Sequence, residues 1–322
     1  MKPSGLRAPL AAALLLALPA AQAQNYPSKA IRVIVPGTAG SSNDFTVRAM
    51  APRFTEAWGQ QIVIDNRSGA GGVIAHEIVA KAAPDGYTLI FSTSAGLILN
   101  PLLSKTPYDP FRDLAPVSLG SINPQMLFSH PGVPAKNVPE LIALAKAKPG
   151  QLNYANSGTG ANAHLAAELF KSMTGTSIEA IAYKSAAPAL VDLIAGQTHL
   201  MFATSLSVMQ HIQSGKLRAL GVTTAKRVAA VKDLPTIAEA GVPGFEATTW
   251  HGVLTTAGTP PAIVNKLNAE INRALQMHDV REKLAGLGAE IVGGTPKEFA
   301  EHIAREIPKW AKVVKAANVH IE

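Results

Sequence analysis

The sequence predicts an α/β protein made of two doubly wound lobes. Three observations predict it. Short apolar runs alternate with amphipathic stretches, the β-α-β order of a sheet with right-handed crossovers. The alternation comes in two series, separated by a proline- and turn-rich stretch, "PLLSKTPYDPFRDLAPVSLGSINP" (101–124). A second stretch of that texture, "LPTIAEAGVPGFEATTWHGVL" (234–254), precedes the C-terminal helices.

In order, "IRVIVP" (31–36) reads as a buried strand and "DFTVRAMAPRFTEAWG" (44–59) as a helix closed by Gly59. "QQIVIDN" (60–66) is a second strand, "GVIAHEIVAKAA" (72–83) a helix ended by the turn Pro84-Asp85-Gly86, and "YTLIFSTS" (87–94) a third strand. The second series opens with "QMLFSH" (125–130) and "VPELIALAKAKPG" (138–150). It continues through "QLNYANS" (151–157), a helix over 161–173, "IEAIAY" (178–183), "AAPALVDLIAGQ" (186–197), "HLMFAT" (199–204) and "LRALGVTT" (217–224). "PPAIVNKLNAEINRALQ" (260–276) and "TPKEFAEHIAREIPKWAKVVKAA" (295–317) are amphipathic helices with proline in the first turn, expected to return to the first lobe.

The N-terminus reads as a leader. Lys2 and Arg7 precede an apolar run from Ala8 to Ala20, and Ala21-Gln22-Ala23 supplies a small-residue cleavage signal. The run is short for a membrane span and no stop-transfer pattern follows, so an uncleaved anchor is the weaker reading. Residues 1–23 are therefore expected to be removed, placing the mature chain, from Gln24, outside the cytoplasm. There is no cysteine, so an exported chain of this size must rely on its core rather than on disulfides. Lys and Arg number 29 against 22 Asp and Glu; without Lys2 and Arg7 the balance is 27 against 22, or +5. That excess is spread thinly, with no basic run or aromatic-basic interleaving that would suggest nucleic acid.

In parallel α/β units, ligands bind beyond the carboxyl ends of strands, where loops enter helix N-termini. Two loops have this placement: "VPGTAGSSND" (35–44) and "NSGTGAN" (156–162). Both are built from Gly, Ser, Thr and Ala, which let backbone N–H groups approach an anion. Neither contains Lys or Arg, and neither ends in the G-K-[ST] of a nucleotide loop. Each suits a modest anion such as one carboxylate. Gly158-Thr159-Gly160-Ala161-Asn162-Ala163 also matches the dinucleotide pattern G-x-G-x-x-G/A, with Glu179 near the position of a ribose-binding acid. A nicotinamide cofactor outside the cytoplasm conflicts with the leader, and Glu179 falls inside a predicted strand rather than at its end.

Longer blocks carry a resemblance. "NRSGAGGVIAHEIVAKAAPDGYTL" (66–89), "LNYANSGTGANAHLAAELF" (152–170), "YKSAAPALVDLIAGQTHLMF" (183–202) and "LPTIAEAGVPGFEATTWHGVL" (234–254) resemble, in order, the Bug family, the solute receptors of tripartite tricarboxylate transporters. The resemblance implies that the exported chain resides in the periplasm and has a type II periplasmic-binding-protein fold, two doubly wound lobes joined by two crossing strands. The lobes are expected at 24–123 plus 248–322 and at 124–247. In the family, the loop after the first strand and the Gly-rich loop of the second lobe hold a ligand carboxylate between them. Carried onto this chain, the first grip comprises Thr38, Ala39, Gly40, Ser41, Ser42 and Asp44, and the second Ser157, Gly158, Thr159, Gly160 and Asn162. Asp44 reads first as a helix cap and second as an acceptor for a ligand amino group. The chain departs from the family's Pro-Phe-x-x-Gly-Gly at Gly37 and Ser41, and from its Tyr-Lys-Gly at Ser185.

Ser94 at the end of the third strand, Tyr183 and Lys184 after "IEAIA", and Thr204 and Ser205 after "HLMFA" are further candidates for the cleft. Trp250 reads as packing in the return crossing. No serine lies in a G-x-S-x-G elbow, "HEIVA" lacks the second histidine of a zincin, and His164 with Glu168 is an incomplete metal site. The expectation is a monomeric, non-enzymatic receptor with no cofactor and no metal. It would take a small organic acid or amino acid and pass it to membrane permease subunits. A signalling receptor is the alternative, and an exported NAD-dependent oxidoreductase a distant one. A carboxylate introduced at Gly160 is expected to block the anion site without unfolding the chain.

Overall fold

Two mixed sheets organise the chain. The computed structural model describes residues 26–317 and 319, apart from 38, 40, 157, 159, 184, 185, 229, 230, 287 and 288; the side chains of 42, 70, 205–207 and 286 are also outside the description. The expected leader, 1–23, lies outside the described residues.

The first sheet contains β1 (Ile31–Val35), β2 (Ile62–Asn66), β3 (Thr88–Thr93), β4 (Leu114–Asn123), β10 (Thr249–Thr256) and β11 (Glu290–Ile291) in the order β11-β4-β10-β3-β1-β2. β1 runs parallel to both β2 and β3, linked by α1 (Ser42–Trp58) and α2 (Val73–Ala80). The second sheet contains β5 (Gln125–Ser129), β6 (Asn153–Asn156), β7 (Glu179–Ala182), β8 (Leu200–Thr204) and β9 (Arg218–Val222) in the order β7-β6-β8-β5-β9. Its helices are α3 (Val138–Ala147), α4 (Asn162–Thr174), α5 (Ala186–Ile194) and α6 (Ser205–Gln213). The parallel series predicted from the alternation is present in each sheet, but the crossing strands enter antiparallel. β10 pairs antiparallel with β3 and β4, and β5 antiparallel with β8 and β9.

The crossings lie side by side. β4 ends at Asn123, Pro124 offers no N–H to a ladder, and β5 begins at Gln125 in the other sheet. The chain returns through Ala247, whose N–H donates to the Thr223 carbonyl (2.9 Å), and enters β10 at Thr249. The two passages are bonded to each other, Gln125 Nε2 donating to Thr249 Oγ1 (3.0 Å), and both are tied to Thr223 after β9, whose Oγ1 accepts the Gln125 N–H (3.1 Å).

Alternation along the strands divides the core. Val33, Val35 and Phe91 join α1 and α7 (Pro261–Gln276) on one face of the first sheet, while Ile34 and Ile90 face the other way. That second cluster continues without a break into the other lobe, through Leu119, Leu127, Phe170, Phe202 and Trp250. Following α8 (His278–Gly286), the C-terminal helix α9 (Pro296–Ala317) bridges the lobes: it packs on β4 of the first sheet and on α4 of the second. This is more than the return to the first lobe that the sequence suggested. Trp250, fully buried on β10, meets Phe299 edge-on (5.6 Å, 89°) and His302 likewise (5.2 Å, 80°), both on α9.

Candidate functional site

Residues at the carboxyl ends of β3 and β6 come together. Ser94, buried just beyond β3, donates its hydroxyl to Asn162 Oδ1 at 3.1 Å. Asn162 is the first residue of α4, whose N-cap is Ala161, a residue with no side chain to cap the helix. Among the described residues, the leading N–H groups of this helix of 13 residues therefore have no side-chain cap from their N-cap residue, beside the Ser94 hydroxyl.

In the Gly-rich turn before α4, three amides of described residues are bonded locally. The Gly158 N–H donates to Asn156 Oδ1 (3.1 Å), the Gly160 N–H to His164 Nδ1 (3.0 Å) and the Ala161 N–H to the Gly158 carbonyl (3.1 Å). The sequence pattern suggested that this turn offers its amides to an anion. In the fold those three amides hold the turn's shape, and α4's own first amides remain as candidate donors. Ser157 and Thr159 lie outside the described residues.

At the end of β1, Ser41 is the N-cap of α1 and its hydroxyl accepts from the Asp44 N–H (3.4 Å). A β-carbon at residue 37 would stand 2.9 Å from Ser41 Oγ, so Gly37 and Ser41 are matched to each other. Asn43 Nδ2 donates to the Pro36 carbonyl (3.2 Å), tying the helix start to the strand end. Asp44 is buried, and its Oδ2 accepts from Arg48 Nε (2.9 Å) one turn along the helix. Ala39 is exposed in the turn, Thr38 and Gly40 lie outside the described residues, and Ser42 begins α1 with its side chain outside the description.

Tyr183 follows β7, half-buried, and its hydroxyl donates to Asp192 Oδ2 on α5 (2.7 Å). Burial first, and that hydrogen bond second, push the hydroxyl up to about 12. Lys184 lies outside the described residues. Thr204 ends β8, exposed, and Ser205 begins α6 with its side chain outside the description.

Sequence reasoning missed a third loop. The turn from Gly69 to Gly72 follows β2, and the Gly72 N–H closes it on the Gly69 carbonyl (2.9 Å). It is held by Asn100 Nδ2, which donates to the Gly71 carbonyl (2.8 Å), and by His76. His76 is fully buried: Nδ1 lies 2.8 Å from the Gly72 carbonyl and Nε2 2.7 Å from Ser92 Oγ. A carbonyl only accepts, so Nδ1 carries the proton and Nε2 accepts from the serine. Burial lowers His76 to about 4. Gly96 is required beside it, because a β-carbon there would stand 2.2 Å from the ring. The run "SGAGG" was the available signal, a glycine-rich strand-to-helix turn like the other two.

The crossing strands carry a second buried histidine, His251, stacked on Phe91 (5.5 Å) with Nδ1 2.8 Å from Asn123 Nδ2. Burial lowers it to about 4.

Residues 46–319 match the family described as "Tripartite tricarboxylate transporter family receptor". Protein BugT of Bordetella pertussis (strain Tohama I) is 40% identical over 305 residues, covering 93% of each chain. Among solved structures, Rpa4515 of R. palustris with adipate is 40% identical with a TM-score of 0.78, covering 92% of this chain and 99% of that one. MatC (Rpa3494) from Rhodopseudomonas palustris with bound malate is 32% identical with a TM-score of 0.74, covering 90% and 100%.

Proposed function

This chain belongs to the receptor family of the tripartite tricarboxylate transporters, a family of two-lobed periplasmic binding proteins, and from that premise we propose that it captures a small dicarboxylate between its lobes and delivers it to the membrane subunits of such a transporter. One observation supports the placement above the rest: Ser94 of one lobe and Asn162 of the other lie within hydrogen-bond reach (3.1 Å) at a helix N-terminus without a side-chain cap. A carboxylate held there would take the first amides of α4 from one lobe and, once the Ser94 hydroxyl turns from Asn162 Oδ1 to the ligand, a donor from the other. Such a ligand binds the closed arrangement better than the open one, and only that difference can shift the population toward closure.

The absence of Lys and Arg from both loop segments keeps the grip moderate. An anion at a helix terminus gains about 0.3–1 kcal/mol when exposed and roughly 2 kcal/mol when partly buried. Moderate affinity suits a carrier that must release its cargo. Asp44 supports a ligand without an ammonium group, because its carboxylate already faces the Arg48 guanidinium. Adipate and malate, the ligands of the two structures compared above, are dicarboxylates of this kind. The reading includes export through the N-terminal leader, no catalytic step, and lobes divided near 123 and 248 where the strands cross.

Native mass spectrometry of protein purified from the periplasm tests the reading, followed by thermal shifts over a carboxylate panel. A dicarboxylate at about a hundred times its Kd should add roughly 2.7 kcal/mol, raising the melting temperature by several degrees. A retained cation, or a panel in which no carboxylate raises the melting point, would overturn it.

A further inference from the structure

We propose that His164 is a positioning residue for ligand capture: by accepting the Gly160 amide proton at an unprotonated Nδ1, it sets the shape of the second-lobe turn. The inference rests on reading that turn and the start of α4 as part of the carboxylate grip.

The bond runs from the Gly160 N–H to His164 Nδ1 at 3.0 Å, and both residues are buried. An amide can only donate, so Nδ1 must be the acceptor and the neutral ring must carry its proton on Nε2. Gly160 sits at φ 76, in the left-handed region, immediately before Ala161 and the uncapped start of α4. Whatever holds Gly160 therefore aims the first amides of α4 at the point where Ser94 meets Asn162. Without an acceptor at position 164, a buried N–H would be left unpaired and the turn would reorganise to satisfy it.

His76 supplies a contrast within the molecule. It too bonds the residue four positions earlier through Nδ1, but there the partner is the Gly72 carbonyl and Nδ1 donates. The two histidines hold opposite tautomers. Protonation leaves the His76 bond to Gly72 in place, whereas at His164 it puts two N–H groups face to face and breaks the bond.

The surroundings of His164 bear on where this happens. Tyr154 of β6 stacks on the ring (6.4 Å, 26°). Glu168 and Lys171, on the same helix, are bound to each other at 2.8 Å, and Glu168 also accepts the Tyr154 hydroxyl (2.7 Å). β8 presents no titratable side chain. On α9, Lys309 and Lys312 line the groove beside Leu169 and Met173, toward the far end of α4. Burial is the largest influence and holds His164 below its ordinary value; Glu168 opposes it and Lys171 adds to it. At neutral pH the acceptor form is the populated one.

The test uses the intact protein, labelled with ¹⁵N, and three side chains at position 164. From neutral pH downward, the Gly160 amide resonance should titrate with the His164 ring in the wild type. It should stay flat in His164→Asn, which keeps an acceptor oxygen at the δ1 position and cannot be protonated. Calorimetry with adipate and with malate should find His164→Leu weaker by on the order of ten-fold, and His164→Asn within about three-fold of wild type and less sensitive to acid than wild type, the remaining dependence being the ligand's own protonation. A Gly160 amide that ignores the His164 titration, or a His164→Leu protein that binds as wild type does, would overturn the proposal. If neither acid binds the wild type, the dicarboxylate reading fails while the amide titration still decides the role of His164.

Discussion

Ser94 Oγ donates to Asn162 Oδ1 across 3.1 Å, joining residues 68 positions apart that follow the ends of β3 and β6 in different sheets. One side of this contact is a hydroxyl at the end of a parallel strand, and the other is the first residue of an uncapped helix. On the proposed carboxylate grip, a ligand there would be held by the first amides of α4 and by the Ser94 hydroxyl once it turns from Asn162 Oδ1, so a substitution there should separate binding from folding.

Asn162→Asp should make that separation. An acid in the first turn of α4 favours the helix by about 0.3–1 kcal/mol and still accepts the Ser94 hydroxyl proton. The same charge opposes a carboxylate ligand by several-fold the thermal energy at an effective dielectric constant of about 20. Thermal unfolding should show equal or higher stability, while calorimetric affinity for adipate or malate falls at least about ten-fold. Unchanged affinity would remove Asn162 from the ligand site. Gly160→Asp is the poorer test, because Gly160 is buried at φ 76 and a side chain there is strained by about 1–2 kcal/mol before any ligand is considered.

Stability should decline in acid through His76 and His251. Both are held at about 4, below their ordinary 6.5, by burial. The unfolded chain therefore binds more protons between those values, and stability present above about 6.5 is lost as pH falls toward about 4. Each histidine should contribute a slope of up to roughly 1.4 kcal/mol per pH unit within that window. Denaturant unfolding at several pH values checks this, with His251→Asn expected to reduce the slope relative to wild type. Equal slopes would mean that His251 titrates in the fold as it does in the unfolded chain.

Trp250 should behave as a structural residue that joins β10 to the C-terminal helix. Trp250→Ala removes a fully buried indole from between Phe299 and His302 and should cost about 3–5 kcal/mol. Trp250→Phe should cost much less. Chemical denaturation measures both, and a loss under about 1 kcal/mol for the alanine variant would show that α9 relaxes to fill the space.

Asp44→Asn discriminates between ligand classes. If the carboxylate serves the start of α1 through Arg48, the amide should leave adipate or malate affinity within about three-fold, with a modest loss of stability. If it contacts a ligand ammonium, a screen of amino acids should instead reveal a ligand that the variant loses by ten-fold or more.

The parallel series of each sheet was legible in the alternation of apolar runs and amphipathic helices, because a strand covered by helices on both faces must be apolar nearly throughout. Ile31–Val35 is such a strand, and the middle of Thr88–Thr93, Leu89 to Phe91, is a shorter run of the same kind. The direction of the crossing strands was not legible, since β10 pairs with β3 and β4 from more than a hundred positions away and no local pattern records that register. Loop composition identified two glycine-rich turns correctly as helix entries, while the third, Gly69–Gly72, passed unnoticed because its block was read only as part of a resemblance.

By itself the sequence determined the class of the protein: two α/β series, uncharged small-residue turns at helix starts, and motif blocks that place it among the carboxylate receptors. Those properties are local, so they are written into short windows of residue types. Only the tertiary structure decided which amides are engaged and which are not, that His76 and His164 hold opposite protons, and that Ser94 meets Asn162. A hydrogen-bond donor is spent or free according to what lies within about 3 Å of it, and that neighbour is chosen by the packing of elements far apart in the chain.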